Sequence, residues 1–177
     1  MEPRIEVVDY DPSWPLAFAE LKRVIAAALG ELALRIEHVG STAVLGLAAK
    51  PIIDMDIVIA DLSALSQAIS ALRELGYEHQ GDLGIAGRHA FFRAGNDVPW
   101  DGSGREWQNH HLYVCPEDSP ELARHIVFRD YLRQHPLRAE AYAALKRSLA
   151  EKFPFDIDAY IEGKSAFIEE ALRQAEL

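Results

Sequence analysis

One cysteine, Cys115, stands in 177 residues, so no disulfide can close within the chain and a disulfide-stapled fold is excluded. The sequence also lacks a basic leader followed by an apolar stretch, and any apolar run of the length that crosses a bilayer. The expectation is a soluble, cytoplasmic protein with no membrane partner. Basic residues are scarce as well: 18 Lys and Arg stand against 28 Asp and Glu, for a formal charge of -10. Duplex nucleic acid is bound chiefly by Lys and Arg that neutralise its phosphates, so general duplex binding is disfavoured. Any phosphate chemistry has to come from a local basic pocket. Repeats and low-complexity runs are missing too, and 49% of the residues are hydrophobic, enough for one full core. We expect a single domain over 1–177.

What is present reads as alternating helix and strand. In DPSWPLAFAELKRVIAAALG, Phe18, Leu21, Ile25 and Leu29 recur at helical spacing, with Asp11 or Ser13 as cap, Pro15 in the first turn and Gly30 as the stop. LRIEHV is a short strand running into Gly40, and KPIIDMDIVIA is a strand too apolar to lie at a sheet edge. LSALSQAISALRELGYEH carries Leu65, Ile69 and Leu72 on one face and stops at Gly76. RHAFFRA and NHHLYVC are strand-like, separated by a turn-rich loop. Sheet material ends near Cys115, giving a core over 1–116. Over 117–177 the pattern predicts three helices: Glu121 to Gln134, Arg138 to about Lys152, and Asp158 onward. The expected fold class is α/β (α+β), a mixed sheet with flanking helices and a C-terminal helical segment.

Within the apolar strand, two aspartates stand on alternate residues. Successive strand side chains point to opposite faces, so Asp54 and Asp56 share one face, with Cα atoms roughly 7 Å apart, and Met55, Ile57 and Ile59 take the other. Two carboxylates so close repel unless a cation lies between them. Solvation at a frayed strand end is the plain alternative, but Ile57, Val58 and Ile59 continue the strand beyond the pair. Mg²⁺ suits one or two carboxylates, leaving its other positions to water and phosphate oxygens. Upstream, Gly40 permits close backbone approach, and Ser41 and Thr42 offer hydroxyls and amides at the start of a short helical turn expected to run through Leu47. Such a turn accepts a phosphate, or is an ordinary cap.

Together these segments resemble the polymerase-beta-type nucleotidyltransferase superfamily, in which a Gly-Ser turn precedes a strand bearing Asp-X-Asp. More specifically, IEHVGSTAVLGLAAKPIIDMDIVI, LGYEH, GRHAFFR, NHHLYV and FRDYLRQHP followed by AYAALKRSLA resemble the GrpB family, in the family's order and over nearly the whole chain. The resemblance implies a nucleotidyltransferase-like sheet. It also implies a metal-dependent transfer from a nucleoside triphosphate, held at Gly40, Ser41 and Thr42, to an unknown acceptor. The family is also found fused to dephospho-CoA kinase, which raises a non-catalytic nucleotide- or CoA-binding module as an alternative; a metal-dependent phosphohydrolase is a third. Two departures stand out. Ala43, Val44, Leu45, Gly46 and Leu47 replace the family's Ser-Val-Pro-Gly-Leu, losing proline's fixed φ. Asn109, His110, His111, Leu112 and Tyr113 replace Thr-His-His-Leu-His.

The superfamily's third acidic ligand has no counterpart in NHHLYVC, which offers imidazoles instead. Alternation puts His111 on the face opposite Leu112 and Val114; if the open face of the sheet carries Asp54 and Asp56, His111 is the better ligand or general base, with His110 as a further metal candidate. Imidazole ligation widens the metal choice from Mg²⁺ to Mn²⁺ or Zn²⁺. Lys50, Arg88 and Arg93 are the candidates for a positive pocket around phosphates. His38 is expected to pack or cap, Cys115 to be a small core residue, Trp100 and Trp107 to pin their loop, and Arg129 to be mainly structural while able to reach the sheet. Oligomeric state leaves no trace in the sequence.

Overall fold

The computed structural model describes residues 2–176. A first helix, α1 (Trp14–Leu29), leads into strand β1 (Arg35–Val39) and, after a loop, strand β2 (Ile53–Ile59). Helix α2 (Leu65–Glu74), strands β3 (Tyr77–His79), β4 (His89–Arg93) and β5 (His110–Pro116), and helices α3 (Pro120–Gln134), α4 (Pro136–Lys152) and α5 (Ile157–Ala175) complete the order. The strands form one mixed sheet in the order β1-β2-β5-β4-β3, with β2 and β5 parallel and the other pairs antiparallel. This is the mixed α/β sheet with flanking helices expected from the sequence. Among the described residues no helix is long and apolar enough to cross a membrane.

The apolar run of β2 is explained by its place between β1 and β5. Its Ile53, Met55, Ile57 and Ile59, all fully buried, join Ile36, Phe91, Leu112 and Val114 on one face, against Leu21 and Ile25 of α1 and Ala68 and Leu72 of α2. Each large aliphatic side chain removed from water there contributes roughly 1.5–3 kcal/mol. The other face is covered differently. Val58 and Cys115 meet Leu122 of α3, while α3, α4 and α5 pack together on Val44 and Leu47 of the loop after β1. Ser119 and Asp156 cap α3 and α5 through side-chain oxygens.

Three local expectations change. The turn after Gly40 is a single 3-10 turn, Ser41–Ala43, and extends no further toward Leu47. Ser13 does not cap α1 through its side chain; Asp11 Oδ1 instead accepts the Ser13 amide at 2.8 Å. The three-residue edge strand β3 was not foreseen: it exists because Tyr77 pairs with Arg93 and buries its ring in the core, which its own short sequence does not announce.

Candidate functional site

Register builds the site. Asp54 lies opposite His111 and Asp56 opposite Tyr113 across β2 and β5, so alternation gathers all four side chains on the face away from α1 and α2. His111 Nδ1 is 3.0 Å from Asp54 Oδ1, in a pair whose side chains are 50% and 33% exposed. Asp56 is in a different state. It is fully buried, with Oδ2 accepting from His125 Nδ1 of α3 at 2.6 Å. Among the described residues its Oδ1 has no hydrogen-bond partner. Burial raises the Asp56 pKa, and the hydrogen bond and charge of His125 only partly offset that. For His125, burial works against the charged ring, but the bond to Asp56 and the charges of Asp56, Glu121 and Asp54 outweigh it and raise the pKa. Glu121 Oε1 lies 3.2 Å from the second ring nitrogen, close enough to pair with the ring when it is protonated.

A cavity of ≈ 370 Å³ opens beside Asp54 and His111, lined also by Ser41, Thr42, Tyr113, His125 and Tyr160. Four basic side chains line it: Lys50, Arg88, Lys146 and Lys164. Among the described residues none of the four is in a salt bridge. The Arg88 guanidinium lies 4.4 Å from the Tyr113 ring centre, and its buried Nε has no hydrogen-bond partner among the described residues. The Tyr160 ring stands between Lys50 at 5.5 Å and Lys164 at 4.6 Å. Lys146 Nζ donates to Ser41 Oγ at 2.9 Å and to the Ala48 carbonyl. Burial, followed by neighbouring positive charge, pushes the Lys146 amine down to about 7 and Lys164 down to about 8. Lys50 is lowered too, by burial, with Asp54 opposing.

Asp54, His111, Ser41, Thr42, Lys50 and Arg88 thus meet at one cavity, with Asp56 behind it. Gly40 contributes clearance: at φ 73° it packs on Asp54, where a Cβ would collide with the carboxylate and sit 3.2 Å from the Asp54 Cβ. Thr42 Oγ1 is occupied at 2.9 Å by the buried His38 ring, which burial holds neutral, with a pKa of about 4. Two expected site residues lie elsewhere. His110 belongs to the opposite face, where Tyr77 hydroxyl donates to its Nε2 at 2.6 Å and its Nδ1 donates to the Gln108 carbonyl at 2.8 Å. Burial pushes its pKa down to about 4; it is a core imidazole. Arg93 shares that face, bound to Asn109 Oδ1 at 2.6 Å. The sequence reading missed His125, Lys146, Tyr160 and Lys164, which the three C-terminal helices bring to the sheet.

A larger cavity, ≈ 1020 Å³, lies on the far side of the same loop and shares only Thr42 with the first. Its arginines are engaged, Arg133 with the Ala43 carbonyl and Arg147 with Asp9. As expected, Arg129 reaches Glu37 and the His38 carbonyl, Trp107 pins its loop through the Pro99 carbonyl, and Cys115 is buried, its thiol raised to about 12.

The donor set fits a hard divalent ion in one respect. The unpartnered Asp56 Oδ1 is a buried acceptor on the same face as Asp54. Among the described residues no three His, Cys, Asp or Glu are gathered as a ligand cluster. Mg²⁺ needs none, because two carboxylates, water and phosphate oxygens complete its shell.

Residues 4–174 match the family described as GrpB protein, and the chain belongs to that family. It is 37% identical to the UPF0157 protein YqkA of Bacillus subtilis over 97% of its own length and 47% of YqkA's, so it spans about half of that relative. A dephospho-CoA kinase of Mycolicibacterium paratuberculosis is 28% identical over 97% of this chain and 46% of the kinase. The crystal structure of the conserved protein GrpB from Enterococcus faecalis superimposes with a TM-score of 0.81 at 33% identity, covering 96% of both chains. The Cid1 poly(U) polymerase with MgGTP bound is a remote neighbour, with a TM-score of 0.45 and 15% identity over 80% of this chain and 45% of that one. It is too distant to carry chemistry across.

Proposed function

We propose that the cavity holds the phosphates of a nucleoside triphosphate and that the protein is a metal-dependent nucleotidyltransferase. The observation that carries this reading is the gathering of Lys50, Arg88 and Lys164 around Asp54 in a chain of formal charge -10. Cations without counter-ions repel one another, and a polyanion relieves that cost. Arg88 offers a planar donor array suited to phosphate oxygens. Asp54 and Asp56, with His111 adjoining, would hold the divalent ion, Mg²⁺ or Mn²⁺, with Zn²⁺ favoured only where imidazole dominates. When bound, such an ion supplies polarisation of the phosphoryl oxygens. His111, steadied by Asp54, has a second ring nitrogen able to take a proton from an acceptor hydroxyl as its oxygen attacks the α-phosphorus and pyrophosphate leaves.

The test is thermal unfolding and calorimetric titration with a non-hydrolysable triphosphate analogue and Mn²⁺. Wild type should be stabilised and Asp54→Asn should not. No response of wild type to any triphosphate and metal combination would sink the proposal. The absence of a three-ligand cluster among the described residues, together with the kinase relative, favours a second reading, a non-catalytic nucleotide- or CoA-binding module. That reading expects binding that survives Asp54→Asn, with no pyrophosphate released. Release of inorganic phosphate alone would instead favour a phosphohydrolase acting through Asp54 and His111.

A further inference from the structure

A phosphate site accounts for Lys50, Arg88 and Lys164, but it does not explain where Lys146 points. This side chain is 2% exposed. Its nitrogen is spent on two oxygens of the chain, Ser41 Oγ at 2.9 Å and the Ala48 carbonyl. A buried ammonium without a counter-ion is costly, so such a lysine favours its neutral amine, with a free lone pair. Burial comes first here, and the charges of Lys164, Arg147 and Lys50 act in the same sense. In the neutral amine the bond to Ser41 reverses: an N–H stays on the Ala48 carbonyl, and the Ser41 hydroxyl, 2.9 Å from Nζ, donates to the lone pair.

Ser41 is equally well defined. It opens the 3-10 turn directly after Gly40, and the Ala43 amide closes the turn on the Gly40 carbonyl at 3.2 Å. It lines the cavity that also contains Arg88 and Asp54. A hydroxyl with a base at hydrogen-bond distance, the base itself oriented by a third group, is the arrangement of an activated nucleophile. Here the third group is the Ala48 carbonyl.

We propose that Ser41 is a nucleophile with Lys146 as its base, and that Ser41 itself accepts the nucleotidyl group. This rests on the triphosphate reading of the cavity; it keeps that ligand and the divalent ion, and puts Ser41 and Lys146 in the places of the separate acceptor hydroxyl and of His111 as its base. In the step, a bond forms between Ser41 Oγ and the α-phosphorus while the bond from that phosphorus to the α,β-bridging oxygen breaks. Pyrophosphate leaves with the electron pair, and the hydroxyl proton passes to Lys146. The products are a nucleotidyl phosphodiester on Ser41, pyrophosphate and a Lys146 ammonium, which then faces the new phosphodiester anion.

The full chain is incubated with Mg²⁺ or Mn²⁺ and a mixture of common ribonucleoside triphosphates labelled at the α-phosphate, then read by intact mass and peptide mapping. One nucleotidyl group on Ser41 is expected, with an equal amount of pyrophosphate. It should be absent in Ser41→Ala and formed about 10²–10⁴-fold more slowly in Lys146→Met, the usual range for loss of a general base. Melting curves establish that each variant is folded, and either variant alone suffices if the other is not. Analogue binding by wild type without any adduct overturns this inference and leaves the triphosphate site standing; no analogue binding removes both. An adduct on another residue, or a bare phosphoryl group on Ser41, also overturns it.

Discussion

Lys146→Met should make the protein more stable at neutral pH. The free lysine value is 10.5, and the fold holds this amine at about 7. Each pH unit between the two is worth about 1.36 kcal/mol, so burying this group costs the fold about 5 kcal/mol below about pH 7. Methionine keeps the chain length and apolar stem without the charge. It leaves the Ala48 carbonyl and the Ser41 hydroxyl without their donor, a loss of about 1–3 kcal/mol. The balance is a gain of about 2–4 kcal/mol, or about 4–16 °C in Tm for a chain of this size. The sign in pH follows from linkage. Because the folded value lies below the unfolded one, the native state binds fewer protons between about 7 and 10.5, and wild-type stability rises with pH across that window. The advantage of the variant should therefore shrink from about pH 7 upward. It should become a deficit of about 1–3 kcal/mol once the amine is neutral in both states. Lys164 titrates in the same sense but is present in both proteins and cancels in the difference. Melting curves at several pH values between about 6 and 10 decide the matter. A Tm difference that does not vary with pH, or a variant less stable at neutral pH, would refute the reasoning.

Three further substitutions probe the aspartates. His125→Ala leaves Asp56 buried with neither oxygen bonded, which should cost about 3–5 kcal/mol and lower the Tm by about 6–20 °C. Adding Asp56→Asn should recover most of this in the melting curve, and a double variant as unstable as the single one would contradict the assignment. Gly40→Ala forces a Cβ against the Asp54 carboxylate at a φ of 73° and should cost roughly 1–3 kcal/mol. It should also weaken Mn²⁺-dependent binding of the triphosphate analogue by calorimetry; unchanged affinity would show that Gly40 does not set the Asp54 geometry.

The sheet was legible because strand periodicity is a local property. Alternation placed Asp54 with Asp56 on one face of β2, and His111 opposite Leu112 on β5; the register of β2 against β5 then puts all three on one face of the sheet. The same rule explains the two residues that fall elsewhere. His110 adjoins His111 and so takes the opposite face. Arg93 is an odd number of residues from Arg88, so the two cannot share a face of one extended strand. Charge and proximity in sequence made them candidates, but the pleat decides. His125 was not legible in the same way, because it meets Asp56 only after α3 has folded back over the sheet.

The lysines of the C-terminal helices did leave a signal, though one that composition hides. On α4 the buried positions are Tyr142, Lys146, Leu149 and Ala150, which is the spacing of an apolar stripe with a lysine in it. On α5 Lys164 follows Tyr160 by the same four residues, ahead of Phe167 and Ile168 on the stripe. In both helices the lysine lies over the tyrosine ring one turn back, at 4.8 Å and 4.6 Å. A lysine on a helix surface costs the fold nothing, whereas a lysine on the packing stripe must be desolvated. Two such placements, both ending at the cavity beside Asp54, oppose stability where valine or leucine would serve packing better. Opposition of that kind is expected where a site requires the amine. On the proposed reading the helical tail is half of the site: the sheet would supply the carboxylates and His111, α5 the Lys164 amine that a phosphate chain would meet, and α4 the Lys146 amine beside Ser41.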